Sequence, residues 1–222
     1  MKKYRKKRYL KGVTLIELLV VVAIITVLAA ILLPYVTNRV EDSKIAAAED
    51  LISTMRTATL LMFNDTSVFS IRWDDLLNNP LVYPNWKGPY ISTRPNIGTT
   101  NTTNDTALAG SPWKTNVILF ANNDGAKEWF GATTGGLPQF TKSVALGIVN
   151  PLVSGQAVIP LSSLQKIDQD LDDGINNTGY IIYLNITTTP ITTTGLAAGS
   201  FQAYNANPTT TTMLAILLNA MP

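Results

Sequence analysis

The side chains in this sequence that could carry out chemistry are defined first by what is missing. Among 222 residues there is no cysteine and no histidine. Disulfides, thiolate or imidazole metal sites, and Ser–His–Asp or Cys–His nucleophile pairs are therefore all excluded. Carboxylates, lysines and tyrosines remain, and two carboxylate placements stand out. One is Glu17, isolated inside a long apolar run. The other is the acidic stretch Asp168-Gln169-Asp170-Leu171-Asp172-Asp173-Gly174-Ile175-Asn176-Asn177. Calcium binds through six to eight oxygens, and Asp168, Asp170, Asp172, Asp173, Asn176 and Asn177 could supply several of them. The spacing is not that of an EF-hand, because the glycine comes one position late and the closing glutamate is absent. The competing reading is a turn in which Asp and Asn side chains cap their own backbone. No second chemical group converges on these aspartates in the sequence, so no enzyme is expected. Calcium is the one cofactor they suggest.

The elements that position Glu17 are easier to read. Residues 13–33 run VTLIELLVVVAIITVLAAILL, whose only polar members are Thr14, Glu17 and Thr26. As a helix that run is about 30 Å long, the thickness of a bilayer's hydrocarbon core. The formal charge of +2 conceals an asymmetry. Seven of the 17 basic residues fall in positions 1–12, leaving ten against 15 acidic residues in the remainder, a net of −5. A polybasic run directly before an apolar span holds its end on the cytoplasmic side of a membrane. Little basic surface is left to grip phosphates, so no nucleic-acid partner is expected. A carboxylate inside such a span is unfavourable without a partner and marks function. Pro34 interrupts the run. Beyond it, Val40, Ala47, Ala48, Leu51, Met55, Ala58 and Met62 recur at helical spacings, with Arg39, Glu41, Asp50 and Arg56 between them. One helix of roughly fifty residues is expected, kinked at Pro34, apolar in its first half and amphipathic in its second.

The hexapeptide Gly12-Val13-Thr14-Leu15-Ile16-Glu17, followed by the apolar helix, resembles the class III leader of type IV pilins and type II secretion pseudopilins. That resemblance implies cleavage between Gly12 and Val13 by a prepilin peptidase and N-methylation of Val13, which stands where the family usually has phenylalanine. It also implies that Glu17 neutralises the new α-amine of a neighbouring subunit during assembly, the competing arrangement being a pair with its own terminus. The implied fold is α+β: a long kinked N-terminal helix, with a transmembrane half and an amphipathic half, packed on a small antiparallel sheet head. The expected organisation is a removed leader (1–12), a membrane and filament-core helix (13–34), an amphipathic half (35–63) and a globular head (64–222). Its partners would be copies of itself in a helical homopolymer, the peptidase, an inner-membrane assembly platform and, before assembly, the bilayer. The precursor would lie in the inner membrane and the polymer outside it, on the cell surface.

In the head, Trp86-Lys87-Gly88-Pro89-Tyr90 and Ser111-Pro112-Trp113-Lys114 resemble two signatures of the major pseudopilin, with Ser111 for Asp and Lys114 for Gly. These segments keep open a type II secretion pseudopilin as the alternative to a pilus subunit, with a minor tip adhesin as a third possibility. Stretches 117–121 (VILFA), 143–149 (SVALGIV) and 180–186 (YIIYLNI) read as strands. The run 213–218 (MLAILL) reads as a final strand, being far too short for a second span. Residues 187–212 are rich in threonine and read as β-prone surface, with glycosylation as a competing idea. The Asn-x-Thr sites at Asn101, Asn104 and Asn185 are weak signals.

Overall fold

The computed structural model describes residues 12–70, 72–79, 81–93, 108–122, 140–153, 155–185, 204, 208 and 210–221. The leader up to residue 11, the sites at Asn101 and Asn104 and most of the threonine-rich stretch lie outside the described residues. The chain divides into two units, Met1–Glu41 and Asp42–Pro222.

Helix α1, Leu15–Thr66, is 52 residues long and runs through Pro34, as the apolar and amphipathic periodicities on either side of the proline anticipate. Proline removes one amide donor from the ladder. Nearby, Thr37 Oγ1 donates to the Pro34 carbonyl at 2.9 Å. Within the second unit, Ile45, Ala48, Ile52, Met55, Ala58 and Met62 of α1 are buried. Their three- and four-residue spacing is one helical face. A short helix, α2 (Trp73–Leu77), follows and buries Trp73, Asp75 and Leu76.

The sheet has five antiparallel strands: β1 (Leu108–Gly110), β2 (Asn116–Asn122), β3 (Lys142–Asn150), β6 (Ile181–Asn185) and β7 (Thr212–Met221), in the order β1-β2-β3-β7-β6. A separate two-stranded ribbon pairs β4 (Leu152–Val153) with β5 (Gln156–Ala157). The four strands expected from sequence all form, and the last of the chain, β7, lies between β3 and β6. One sheet face, with Val117, Leu119, Leu146, Ile148, Tyr183, Leu214 and Ile216, shares a core with the buried face of α1. The other face carries Ile118, Phe120, Ala145, Ile182, Leu184, Met213 and Ala215, also buried. Burial on both faces explains why these strands read as unbroken apolar runs instead of alternating. Gly147 sits on that second face because a Cβ there would collide with Met213 and Phe120.

The sequence reading missed helix α3, Leu161–Leu171. Its signal was present: Leu161, Leu164, Ile167 and Leu171 recur at three and four residues, directly after Pro160, a residue suited to helix starts. Asp168 and Asp170 therefore belong to a helix and only Asp172 and Asp173 enter the turn.

Candidate processing and assembly site

Residues 12–14 are not helical, and α1 begins at Leu15. Thr14 is the residue before the first turn, and its carbonyl accepts the first helical bond from Leu18 N at 3.2 Å. Its side chain and that of Glu17 close a reciprocal pair. Glu17 Oε2 accepts from Thr14 N and from Thr14 Oγ1, each at 2.8 Å, while Thr14 Oγ1 accepts from Glu17 N at 3.3 Å. This is a capping box, a Ser/Thr followed three residues later by Glu, in which each side chain satisfies the other's backbone donor. Sequence reasoning weighed Glu17 against amines alone and missed Thr14 as its partner, although Thr-x-x-Glu was there to be read.

The remaining polar group of the span is satisfied the same way, since Thr26 Oγ1 donates to the Val22 carbonyl at 2.8 Å. In a medium without water every polar group needs such an internal partner. Residues 12–40 are exposed on all sides of the helix. Leu15, Ile16, Ile24, Ile31 and Leu33 are each more than half exposed. The segment is long and apolar enough to cross a membrane, with a mean hydropathy of 3.1 in its most apolar window. Gly12 is in open space, with no atom within 4 Å of where a Cβ would lie. Among the described residues, no packing calls for glycine there.

The second candidate is the acidic turn. Carboxylate oxygens of Asp168, Asp172 and Asp173 come within 4.8 Å of one another. Asp168 is buried on α3. Its Oδ2 accepts from Tyr204 Oη at 2.8 Å, while its buried Oδ1 has no well-formed hydrogen bond among the described residues. Burial pushes its pKa up to about 6, against the Tyr204 hydrogen bond, and the neighbouring charges of Asp172 and Asp173 push the same way. Asp172 Oδ2 accepts from the backbone N–H groups of Tyr180 and Ile181. It fills the space above Gly179, which has φ +71° and no room for a Cβ. Asp173 accepts from Ile175 N at 2.8 Å and Thr178 Oγ1 at 2.5 Å. Asn176 uses its carbonyl to accept from Tyr183 N at 2.9 Å. Asp170 is not in this convergence. It neighbours Glu49 of α1, whose pKa is raised by burial first and by Asp170 next.

Calcium would need six to eight oxygens. The three converging carboxylates fall short of that, and two of them already close the loop from 174 to 181. The hydrogen bonds of Asp172 and Asp173 cap the turn from its own side chains.

The tryptophan-bearing loop is likewise held by its own contacts. Trp86 Nε1 donates to the Asp75 carbonyl at 2.9 Å. The buried Asp75 Oδ2 accepts from Ser70 Oγ at 2.6 Å and Tyr83 Oη at 3.0 Å. Asp65 receives Lys87 Nζ at 3.0 Å and Tyr90 Oη at 2.9 Å. Trp86 and Tyr90 meet edge to face at 5.5 Å, and Trp113 enters the main core. The aromatic groups fasten the loop to the end of α1 and to α2.

No curated protein matches the chain. The solved structure of the major Type IV pilin PilA1 from Clostridium difficile is similar to it over 81% of this chain and 97% of its own, with 13% sequence identity and a TM-score of 0.39. Residues 7–33 match the family model of the prokaryotic N-terminal methylation motif. At its N-terminus, then, the chain bears the prokaryotic N-terminal methylation motif, as its resemblance to pilin-type leaders anticipated.

Proposed function

We propose that the chain is the subunit of a type IV pilus-like filament. It is inserted in the inner membrane through residues 13–33, cut between Gly12 and Val13, methylated at Val13, and polymerised outside the membrane through α1. The observation that carries this reading is the solvent exposure, on every side, of the apolar helix over residues 15–33. An all-round apolar helix is not stable in water and must be covered by lipid or by other helices. Lipid serves before assembly and equivalent helices of other copies after it. Head-to-tail repetition of such contacts builds an open helical polymer.

The basic leader serves topology only, and its removal leaves the net charge of the remainder at −5. Peptide hydrolysis between Gly12 and Val13 creates an α-amine beside a span whose one charged side chain is Glu17. In a filament core that carboxylate is unfavourable without a cation, and a neighbour's amine supplies one at a fixed axial register. Gly12, with open space around it, is the residue that lets a peptidase backbone approach closely. A secretion pseudopilin is the second reading, supported by the resemblance of Trp86–Tyr90 and Ser111–Lys114 to that family's signatures.

The test is Glu17→Gln, which keeps volume and capping and removes charge. The expected outcome is a cleaved, membrane-inserted chain that makes few or no filaments by electron microscopy. Filaments at the normal number and length would sink the role given to Glu17. This chain as the main component of sheared surface fibres supports a pilus. Its absence from them, with a protein-export defect on deletion, supports the pseudopilin.

A further inference from the structure

We propose that Thr14 is a positioning residue for leader removal: its capping box with Glu17 stops α1 at Leu15 and so holds the Gly12–Val13 peptide outside the helix, in a form that a peptidase can bind. The inference rests on the processing reading above and adds to it the means by which the substrate bond is presented.

The physical problem is where such a helix should begin. In an apolar medium every unsatisfied N–H is costly, so a helix gains by running backward until each donor has an acceptor. Unopposed, α1 would extend through Val13 and Gly12. A peptide bond inside a helix is a poor substrate, because its carbonyl is already hydrogen-bonded and neighbouring turns crowd both faces of the carbon that water must attack. Hydrolysis adds water to the Gly12 carbonyl carbon and breaks the Gly12–Val13 C–N bond. It leaves a carboxylate on Gly12 and an amine on Val13. For this chemistry the bond must be free of the ladder.

The observed geometry provides that freedom. Glu17 Oε2 accepts the Thr14 N–H at 2.8 Å, and Thr14 Oγ1 accepts the Glu17 N–H at 3.3 Å, so both donors are satisfied without residues 12 and 13 being helical. The Thr14 hydroxyl donates to the same carboxylate oxygen at 2.8 Å and fixes the arrangement. Residues 12–14 are outside the helix and Val13 is 74% exposed. Gly12 reinforces the stop, since glycine is among the least favourable helix residues. Val13 and Leu18 occupy the two positions, just before the cap and in the first turn, where a hydrophobic pair commonly fixes the entry of the chain. Glu17 thus has two successive duties: its hydrogen-bonding oxygen ends the helix before cleavage, and its charge meets an amine afterwards. Thr14 serves only the first.

The test measures cleavage of the full-length chain in detergent micelles by purified prepilin peptidase, read by mass spectrometry, with hydrogen exchange at the Thr14 amide followed in parallel. Thr14→Ala removes the hydroxyl, Thr14→Ser retains it, and Glu17→Gln retains the capping acceptor. Losing such a cap is expected to lower kcat/KM about fivefold in Thr14→Ala, the ratio set by about 1 kcal/mol. The same variant should show faster exchange at residue 14. Thr14→Ser and Glu17→Gln should stay within about twofold of wild type. Thr14→Ala cleaved as fast as wild type overturns the inference while leaving the processing reading intact. Thr14→Ser as slow as Thr14→Ala also overturns it, because the methyl group and not the cap would then be what matters. A wild-type chain that resists cleavage overturns the processing reading and this inference together.

Discussion

Two stretches of the same helix face opposite problems. From Ile45 to Met62, α1 buries one stripe of Ile45, Ala48, Ile52, Met55, Ala58 and Met62 against the sheet and keeps Asp50 and Arg56 exposed. From Leu15 to Leu33 it is apolar on every side apart from Glu17 and Thr26 and buries no residue among those described. The first is amphipathic because a folded head needs one face of it. The second is uniform, so its sequence marks no single face for burial. The difference lies in which surface each sequence leaves to be covered. It teaches that the buried core begins at Ile45, whereas residues 13–40 bury no side chain among the described residues.

The contrast can be broken at either end. Ile52→Ala, a cavity at the fully buried stripe, should destabilise the head by about 4 kcal/mol in thermal or denaturant unfolding and leave membrane insertion unchanged. The reverse holds for Ile25→Arg. It should oppose insertion by about 3 kcal/mol, read as a loss of membrane-fraction protein, with no change in the head's melting temperature. An effect of Ile25→Arg on head stability, or of Ile52→Ala on insertion, would mean that the two stretches are not independent.

A smaller effect is expected at Asp168. Its pKa in the folded head is pushed up to about 6 by burial and by Asp172 and Asp173, above the ordinary value near 4 of an unfolded chain. Between those values the folded state binds the proton and the unfolded state does not. Head stability should therefore be greatest below about pH 4 on this account and fall as pH rises towards 6, by at most about 3 kcal/mol. Asp168→Asn should flatten that slope in melting curves from pH 4 to 7, and an unchanged slope would assign it elsewhere. In the same melts, chelator should change nothing, since the turn is held by its own hydrogen bonds. A rise of several degrees on adding calcium would instead make the three carboxylates a metal site.

How much of this was legible in advance follows the same division. The long apolar helix through Pro34 and the N-terminal methylation motif could be read because they depend on composition and spacing alone. The central strands could be read because burial on both faces writes them as continuous apolar runs. Helix α3 was hidden by its charges: Asp168, Asp170, Asp172 and Asp173 suggest a loop, and only the Leu161–Leu164–Ile167–Leu171 spacing reveals the helix. Which acids would converge was not legible either. Asp168 and Asp170 are two residues apart, so a helix sends one toward Tyr204 and the turn and the other toward Glu49 of α1. Thr14 was missed for a different reason. A hydroxyl in an apolar run draws no notice until its bond to Glu17 is seen.

The most direct measurement is the intact mass and N-terminal sequence of the chain recovered from its own cells. A polypeptide beginning at Val13 and carrying one added methyl group on its α-amine is the expected result. A chain that still begins at Met1, in membranes and surface fraction alike, would contradict the reading of residues 1–12 as a leader and of α1 as a filament core.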